Sequence, residues 1–127
     1  MLTGIRGAIS VERDSKEEIE EAVSELLKSI FERNKIEVSK IASIIFSVTP
    51  DIKSYNPATA AREKLNLDAT PLMCLSEAIF DNSLEMIIRV LILYNADETF
   101  KVNHVYLKRA QSLRPDISKI NSVGGAE

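Results

Sequence analysis

The sequence predicts a single α/β (α+β) domain, a mixed β-sheet with helices on one face in the order β-α-β-α-β-β-β. Three observations lead there. Residues 15–34 carry apolar side chains at helical spacing on one stripe only, which is the pattern of a helix lying on a core. Ile44, Ile45, Phe46 and Val48, and later Met86 to Leu93, are short apolar runs rich in β-branched residues, as in buried strands. Between these runs stands Asn56-Pro57, an N-cap followed by proline at the first helical position, where the missing donor costs nothing. Strands alternating with helices build a mixed sheet with helices packed against it.

Taken in order, Leu2 to Val11 is short and β-leaning. Gly4 and Gly7 bracket Ile5-Arg6 there; glycine weakens a strand but lets another group approach the backbone. Ser15 with Glu18 has the spacing of a capping box at the start of the first helix. Ile19, Ala22, Val23, Leu26, Leu27, Ile30 and Phe31 form its apolar stripe, and Asn34 is the expected C-terminal stop. Pro50-Asp51 ends the second strand, and the second helix runs through Arg62 to about Leu65. Pro71 to Leu75 is a further short strand, followed by a turn around Asp81-Asn82. Met86 to Leu93 is expected as the central strand, although periodicity alone leaves a helix open there. Val105, Tyr106 and Leu107 make the last strand, and Pro115 and Gly124-Gly125 mark an irregular tail after about residue 115.

The 127 residues fit one domain, 1–127, without repeats or linkers. With 45% hydrophobic and 28% charged residues the composition is that of a globular chain and not a disordered one. A net charge of −3 argues against nucleic acid or a membrane surface as partner. The first residues lack the layout of a signal peptide, and the longest apolar stretch is interrupted by Arg89 and too short to span a bilayer. Cys74 is the only cysteine, so a cytoplasmic location without disulfides is expected. One histidine leaves little material for a metal site or a His-based triad; no metal and no cofactor is expected. Helices on one face leave the other face of the sheet bare, and a partner subunit is the expected cover.

Arg89 is the most informative residue, because it interrupts a run in which an aliphatic side chain is the default. Arginine does not shed its charge, so burial demands an anion. Either it makes a structural ion pair or reaches water, or it is a cation held ready for an anionic ligand. Glu77, just past the strand that carries Cys74, is the candidate structural partner. Cys74 has no nearby histidine to activate it and reads as a buried hydrophobe. Arg6 is equally a surface charge or an anion ligand, and the Tyr106 ring is equally core or site. His104 reads as a satisfied polar residue near a strand start. These residues alone define an anion-binding α/β domain.

Their arrangement says more. Gly4-Ile5-Arg6-Gly7-Ala8 followed by Val11-Glu12-Arg13-Asp14 resembles the N-terminus of the monofunctional chorismate mutases of the Bacillus type. Thr49-Pro50-Asp51, Pro57-Ala58 with Ala61-Arg62-Glu63, Cys74 with Glu77, Ile88-Arg89-Val90, His104-Val105-Tyr106-Leu107 and Leu113-Arg114-Pro115-Asp116 resemble that family in the same order. The resemblance implies an isomerase that rearranges chorismate to prephenate in phenylalanine and tyrosine biosynthesis. It also implies a homotrimer with a barrel-like core and active sites between subunits. In that scheme Arg89 faces the ether oxygen and a carboxylate, while Arg6 and Tyr106 hold a carboxylate. Glu77 and Cys74 contact the ring hydroxyl, and Arg62 and Arg114 stand nearer the entrance. Leu113 and Met73 complete the substrate-binding set.

Three positions depart from the family pattern. Asn56 stands where an aromatic residue is usual, Thr59 where a lysine is usual and Met73 where a threonine is usual. Thr59 bears on a cationic contact at the pocket mouth, Asn56 and Met73 on the packing of its wall. The implied reaction is pericyclic, so it needs neither proton transfer nor a covalent intermediate. That fits a chain without an acid–base pair or metal motif. The alternative is a non-catalytic trimeric binding module for a small carboxylate, which would keep the carboxylate-holding arginines but need no cation at a breaking bond.

Overall fold

The computed structural model describes residues 1–117. Its elements are β1 (Leu2–Ser10), α1 (Lys16–Asn34), β2 (Ile41–Val48), α2 (Pro57–Leu65), β3 (Leu72–Ser76), β4 (Ile87–Asn95) and β5 (Val105–Tyr106). Short 3-10 segments occupy Val38–Lys40 and Lys108–Leu113. The predicted order and the single mixed sheet are therefore what the chain adopts. Strand order is β3-β2-β4-β1-β5, with β4 antiparallel to both β1 and β2, and with β3 and β5 added in parallel at the two edges. Met86 to Leu93 was expected as a central strand, and β4 is the middle of the five, beginning one residue later.

Local chemistry sets the boundaries. Ser15 caps α1, its side chain accepting the Glu18 N–H at 3.2 Å. The return half of the expected capping box does not form: the Ser15 N–H goes to the Arg13 carbonyl. The stop also differs from expectation. Asn34 is the last helical residue, and Lys35 takes the left-handed conformation with φ 50°. Asn34 is instead turned inward and buried, its amide donating to the Ile30 and Asn103 carbonyls and its oxygen accepting the Asn103 N–H. Asn56 caps α2 through the Ala58 N–H, as its place before Pro57 predicts. Thr49-Pro50-Asp51 is a structural hinge: both Asp51 carboxylate oxygens accept the N–H of Met86, whose φ of 57° turns the chain into β4.

The main core lies between one face of the sheet and the two helices. Ile19, Val23, Leu26, Leu27 and Ile30 of α1 meet Ile5, Ile9, Phe46, Val90 and Ile92, all of them buried. Each such side chain contributes about 1.5–3 kcal/mol on leaving water. Gly7 belongs here because a Cβ would stand 2.8 Å from the Ile30 Cδ1 and 2.9 Å from the Val105 carbonyl oxygen. The second face is not wholly bare, as had been expected. Ala110 and Leu113 of the 3-10 segment, with Leu84 and Ile117, cover Ala8, Ile87 and Tyr106 in a small second cluster. The remainder of that face stays open, and Met73 and Leu75 are 55% and 51% exposed. Residues 115–117 are helical rather than irregular, while Gly124-Gly125 lies outside the described residues.

Candidate active site

The strand register lines up one row across all five strands. Leu75, Ser47, Arg89, Ala8 and Tyr106 are successive partners from β3 to β5 and share the face away from the helices. The neighbouring row on that face holds Met73, Ile45, Leu91 and Arg6. Together these rows floor a cavity of about 360 Å³ lined by Arg6, Ser47, Leu75, Arg89, Leu91 and Tyr106. Small residues on both sides of Arg89, Ala8 and Ser47, leave its long side chain room to lie along the sheet.

Arg89 is partnered but not consumed. Its Nε donates to the Glu77 Oε1 at 3.0 Å, and the other Glu77 oxygen accepts from the Ser47 hydroxyl at 3.0 Å. Glu77 is placed just beyond β3 by its own N–H, which donates to the Val48 carbonyl. The ion-pair reading of Arg89 is thus correct as far as it goes. Only Nε is engaged, and the Nη groups have no hydrogen bond or ion pair to protein among the described residues. Arg6 is likewise without a side-chain hydrogen bond or ion pair among those residues, and it is exposed. Two guanidiniums with unspent donors therefore face one cavity, and Glu77 holds Arg89 from an adjoining cavity of about 370 Å³ that the arginine also lines.

The other candidates lie elsewhere in the chain. Cys74 registers with Phe46 and Val90, so it faces the helices while Met73 and Leu75 on either side face the cavity. It packs against the main core, and burial pushes its thiol pKa up, away from the reactive thiolate. Within one chain Cys74 on β3 thus faces the helices, while Glu77, just past the end of that strand, reaches Arg89 on the other face. Arg62 lies with Asn56, Thr59, Asp68 and Leu72 along a second cleft of about 330 Å³ between α2 and the β3 edge. Tyr106 is buried beneath Leu113. Arg114 follows the 3-10 segment and pairs with Asp116 at 3.2 Å, a hydrogen bond that raises its pKa further. One chain consequently brings together Arg6, Glu77, Arg89 and Tyr106, and separately Arg62 with Asn56 and Thr59. It does not bring the two groups together.

Sequence reasoning missed Ser47 and the task of His104. Ser47 is a hydroxyl at an alternating position inside an apolar strand, a signal that was available. His104 Nδ1 accepts the Arg6 N–H at 2.9 Å, a contact between residues 98 apart that no local pattern announces.

A sheet face that offers two guanidiniums with unspent donors and one tethered carboxylate defines an enzyme class that binds and polarises a small anion. The comparisons make it particular. Residues 2–117 match the model of the chorismate mutase type I family, and the chain belongs to that family. It is 44% identical to chorismate mutase AroH of Thermus thermophilus over 119 residues, covering 92% of this chain and 97% of the relative. It is 37% identical to chorismate mutase AroH of Bacillus subtilis, covering 93% and 94%. Among solved structures, a chorismate mutase from Clostridium thermocellum superposes with a TM-score of 0.82 at 40% identity, covering 87% of this chain and 98% of that one. The resemblance drawn from the motifs is therefore correct, and the chain is an isomerase and not a carboxylate-sensing module.

Proposed function

We propose that the chain converts chorismate to prephenate at sites assembled between subunits of a homotrimer. Arg89 is the central group: its Nη donors meet the ether oxygen as the carbon–oxygen bond breaks and negative charge grows there. Arg6 and Tyr106 hold one carboxylate of the dianion. Glu77, fixed by Ser47 and Arg89, accepts from the ring hydroxyl. Holding the diacid compact supplies the entropic part of the rate and the guanidinium the electrostatic part.

The observation that carries this reading is the separation of the two half-sites. Arg62 and the α2 cleft lie at the β3 edge, and a neighbouring subunit placed against the exposed Met73 and Leu75 would bring its own copy of that cleft to the open side of the Arg89 cavity. Arg114 and Leu113 then border the entrance. Thr59 in place of a cation leaves Arg62 and Arg114 as the charges that retain the dianion at the mouth. Among the described residues no helix is long and apolar enough to cross a membrane. We place the enzyme in the cytoplasm, without a nucleic-acid partner, on its single free thiol and net negative charge.

Two measurements on the purified chain test this. Loss of chorismate absorbance should be enzyme-dependent and saturable; chorismate binding without turnover would remove the catalytic reading. Light scattering should give three chains per particle at assay concentration, and an active dilute monomer would refute the shared site.

A further inference from the structure

His104 stands at the point where β5 stops and β1 continues. The parallel pairing of these strands runs through Gly7 with Val105 and Ala8 with Tyr106, and the Leu107 N–H closes it on the Ala8 carbonyl. In the same register Arg6 faces His104, and there the imidazole Nδ1, not a main-chain carbonyl, accepts the Arg6 N–H at 2.9 Å. The residue before His104 is anchored to α1. Asn103 is clamped to α1 by buried Asn34 through three contacts of 2.8–3.2 Å, counting the Asn103 amide on the Arg33 carbonyl. Hydrogen bonds thus tie the end of α1 to Asn103, and its chain neighbour His104 holds the backbone that carries the Arg6 guanidinium.

We propose that His104 is a positioning residue for chorismate binding: as a neutral imidazole it holds the Arg6 main chain in place, and on protonation it lets go. The inference rests on the assignment of Arg6 to a substrate carboxylate. A neutral imidazole offers one acceptor nitrogen, whereas the imidazolium has two donors and none. Protonated His104 would point a donor at the Arg6 N–H, so the contact must break. The charged groups around the ring all oppose that state. Its pKa lies below the ordinary 6.5, first through desolvation and then through the guanidiniums of Arg6 on β1 and Arg114 beyond the 3-10 segment.

Because Arg6 holds a carboxylate present in both ground and transition states, its displacement should raise KM and leave kcat nearly unchanged. The test is steady-state kinetics on the full chain from about pH 8 down to about pH 5, for wild type, His104→Asn and His104→Ala. Asparagine presents Oδ1 where the ring presents Nδ1 and does not titrate. Wild type should show KM rising roughly three- to tenfold in acid, the loss of one hydrogen bond's worth of order. His104→Ala should show the raised KM at every pH, with no acid limb. His104→Asn should restore a low KM that stays flat into acid. A wild-type KM that is flat, or that falls in acid as an added positive charge near a dianion would make it, overturns the proposal. So does an alanine variant with wild-type KM at pH 8, or an asparagine variant that keeps the acid limb. Failure of the Arg6 assignment would show differently: Arg6→Ala would then leave KM unchanged, while the protection of the wild-type Arg6 amide, relative to its intrinsic exchange rate at each pH, would still fall in acid.

Discussion

Replacing Arg89 with citrulline separates the two tasks its position allows. The variant keeps the planar shape and the Nε donor, replaces one Nη group by an oxygen and removes the charge. As a structural group Arg89 is one half of a 3.0 Å ion pair with Glu77 whose side chains are 40% and 18% exposed. A partly exposed pair of this kind is worth about 1 kcal/mol. Against a total stability of about 5–15 kcal/mol, losing it leaves essentially every molecule folded at 25 °C. The melting temperature would fall by about 3–6 °C for a chain of this size, and turnover per molecule would not change. As the group that meets charge on a breaking carbon–oxygen bond, Arg89 predicts something else. Removal of one such donor lowers kcat by about 10²–10³, equivalent to about 3–4 kcal/mol. The two outcomes differ by orders of magnitude in one assay. Chorismate turnover measured under saturation, with light scattering and thermal melting on the same samples, reads both. Arg89→Lys should be severely impaired as well, since a shorter point charge cannot keep Glu77 and reach the substrate at once. A folded citrulline variant with near-normal kcat would show that Arg89 only positions, and the electrostatic account would be lost.

The remaining expectations are simpler. Cys74→Ser should retain measurable activity, and alkylation of the wild-type thiol should be slow because burial raises its pKa; covalent trapping of substrate there would contradict both. Gly7→Ala forces a methyl against Ile30 and the Val105 carbonyl and should lower stability by about 1–3 kcal/mol, visible as a reduced denaturation midpoint. Since no proton moves in the reaction, kcat should be flat between about pH 6 and 8 with a solvent isotope effect near unity, and a bell-shaped profile would indicate acid–base chemistry instead.

Most of the fold was legible because its elements announce themselves by period. The α1 stripe, the proline at the start of α2 and the β-branched run of β4 each carry a signal longer than the noise. The faces of β3 were not legible. Leu72-Met73-Cys74-Leu75 is apolar at every position, so no alternation distinguishes the side facing the helices from the side facing the cavity. The pairing of Cys74 with Glu77 on one substrate group came from the family resemblance, and no alternation in β3 bore on it. The cover supplied by Lys108–Leu113 was hidden for a related reason: only Ala110 and Leu113 are apolar, at the three-residue spacing of a 3-10 turn. Arg6, Arg89 and Tyr106 were singled out because charged or hydroxylated side chains interrupt apolar strands. Their meeting in one cavity depends on a pairing between residues far apart in the chain, which only the register supplies.

That register has a consequence for how this protein can change over generations. In β4 every odd residue from Ile87 to Leu93 points to the sheet face away from the helices and every even one from Ile88 to Ile92 to the helices. Both neighbours of β4 are antiparallel strands with their own fixed alternation. Loss or gain of a single codon inside it would carry Arg89 into the aliphatic layer and push Val90 out to the substrate side. Substitution can therefore retune this strand, but a change of length within it would destroy core and chemistry in one event. Insertions and deletions should be confined in its descendants to the exposed residues 78–83 and 97–99, where neither layer takes part.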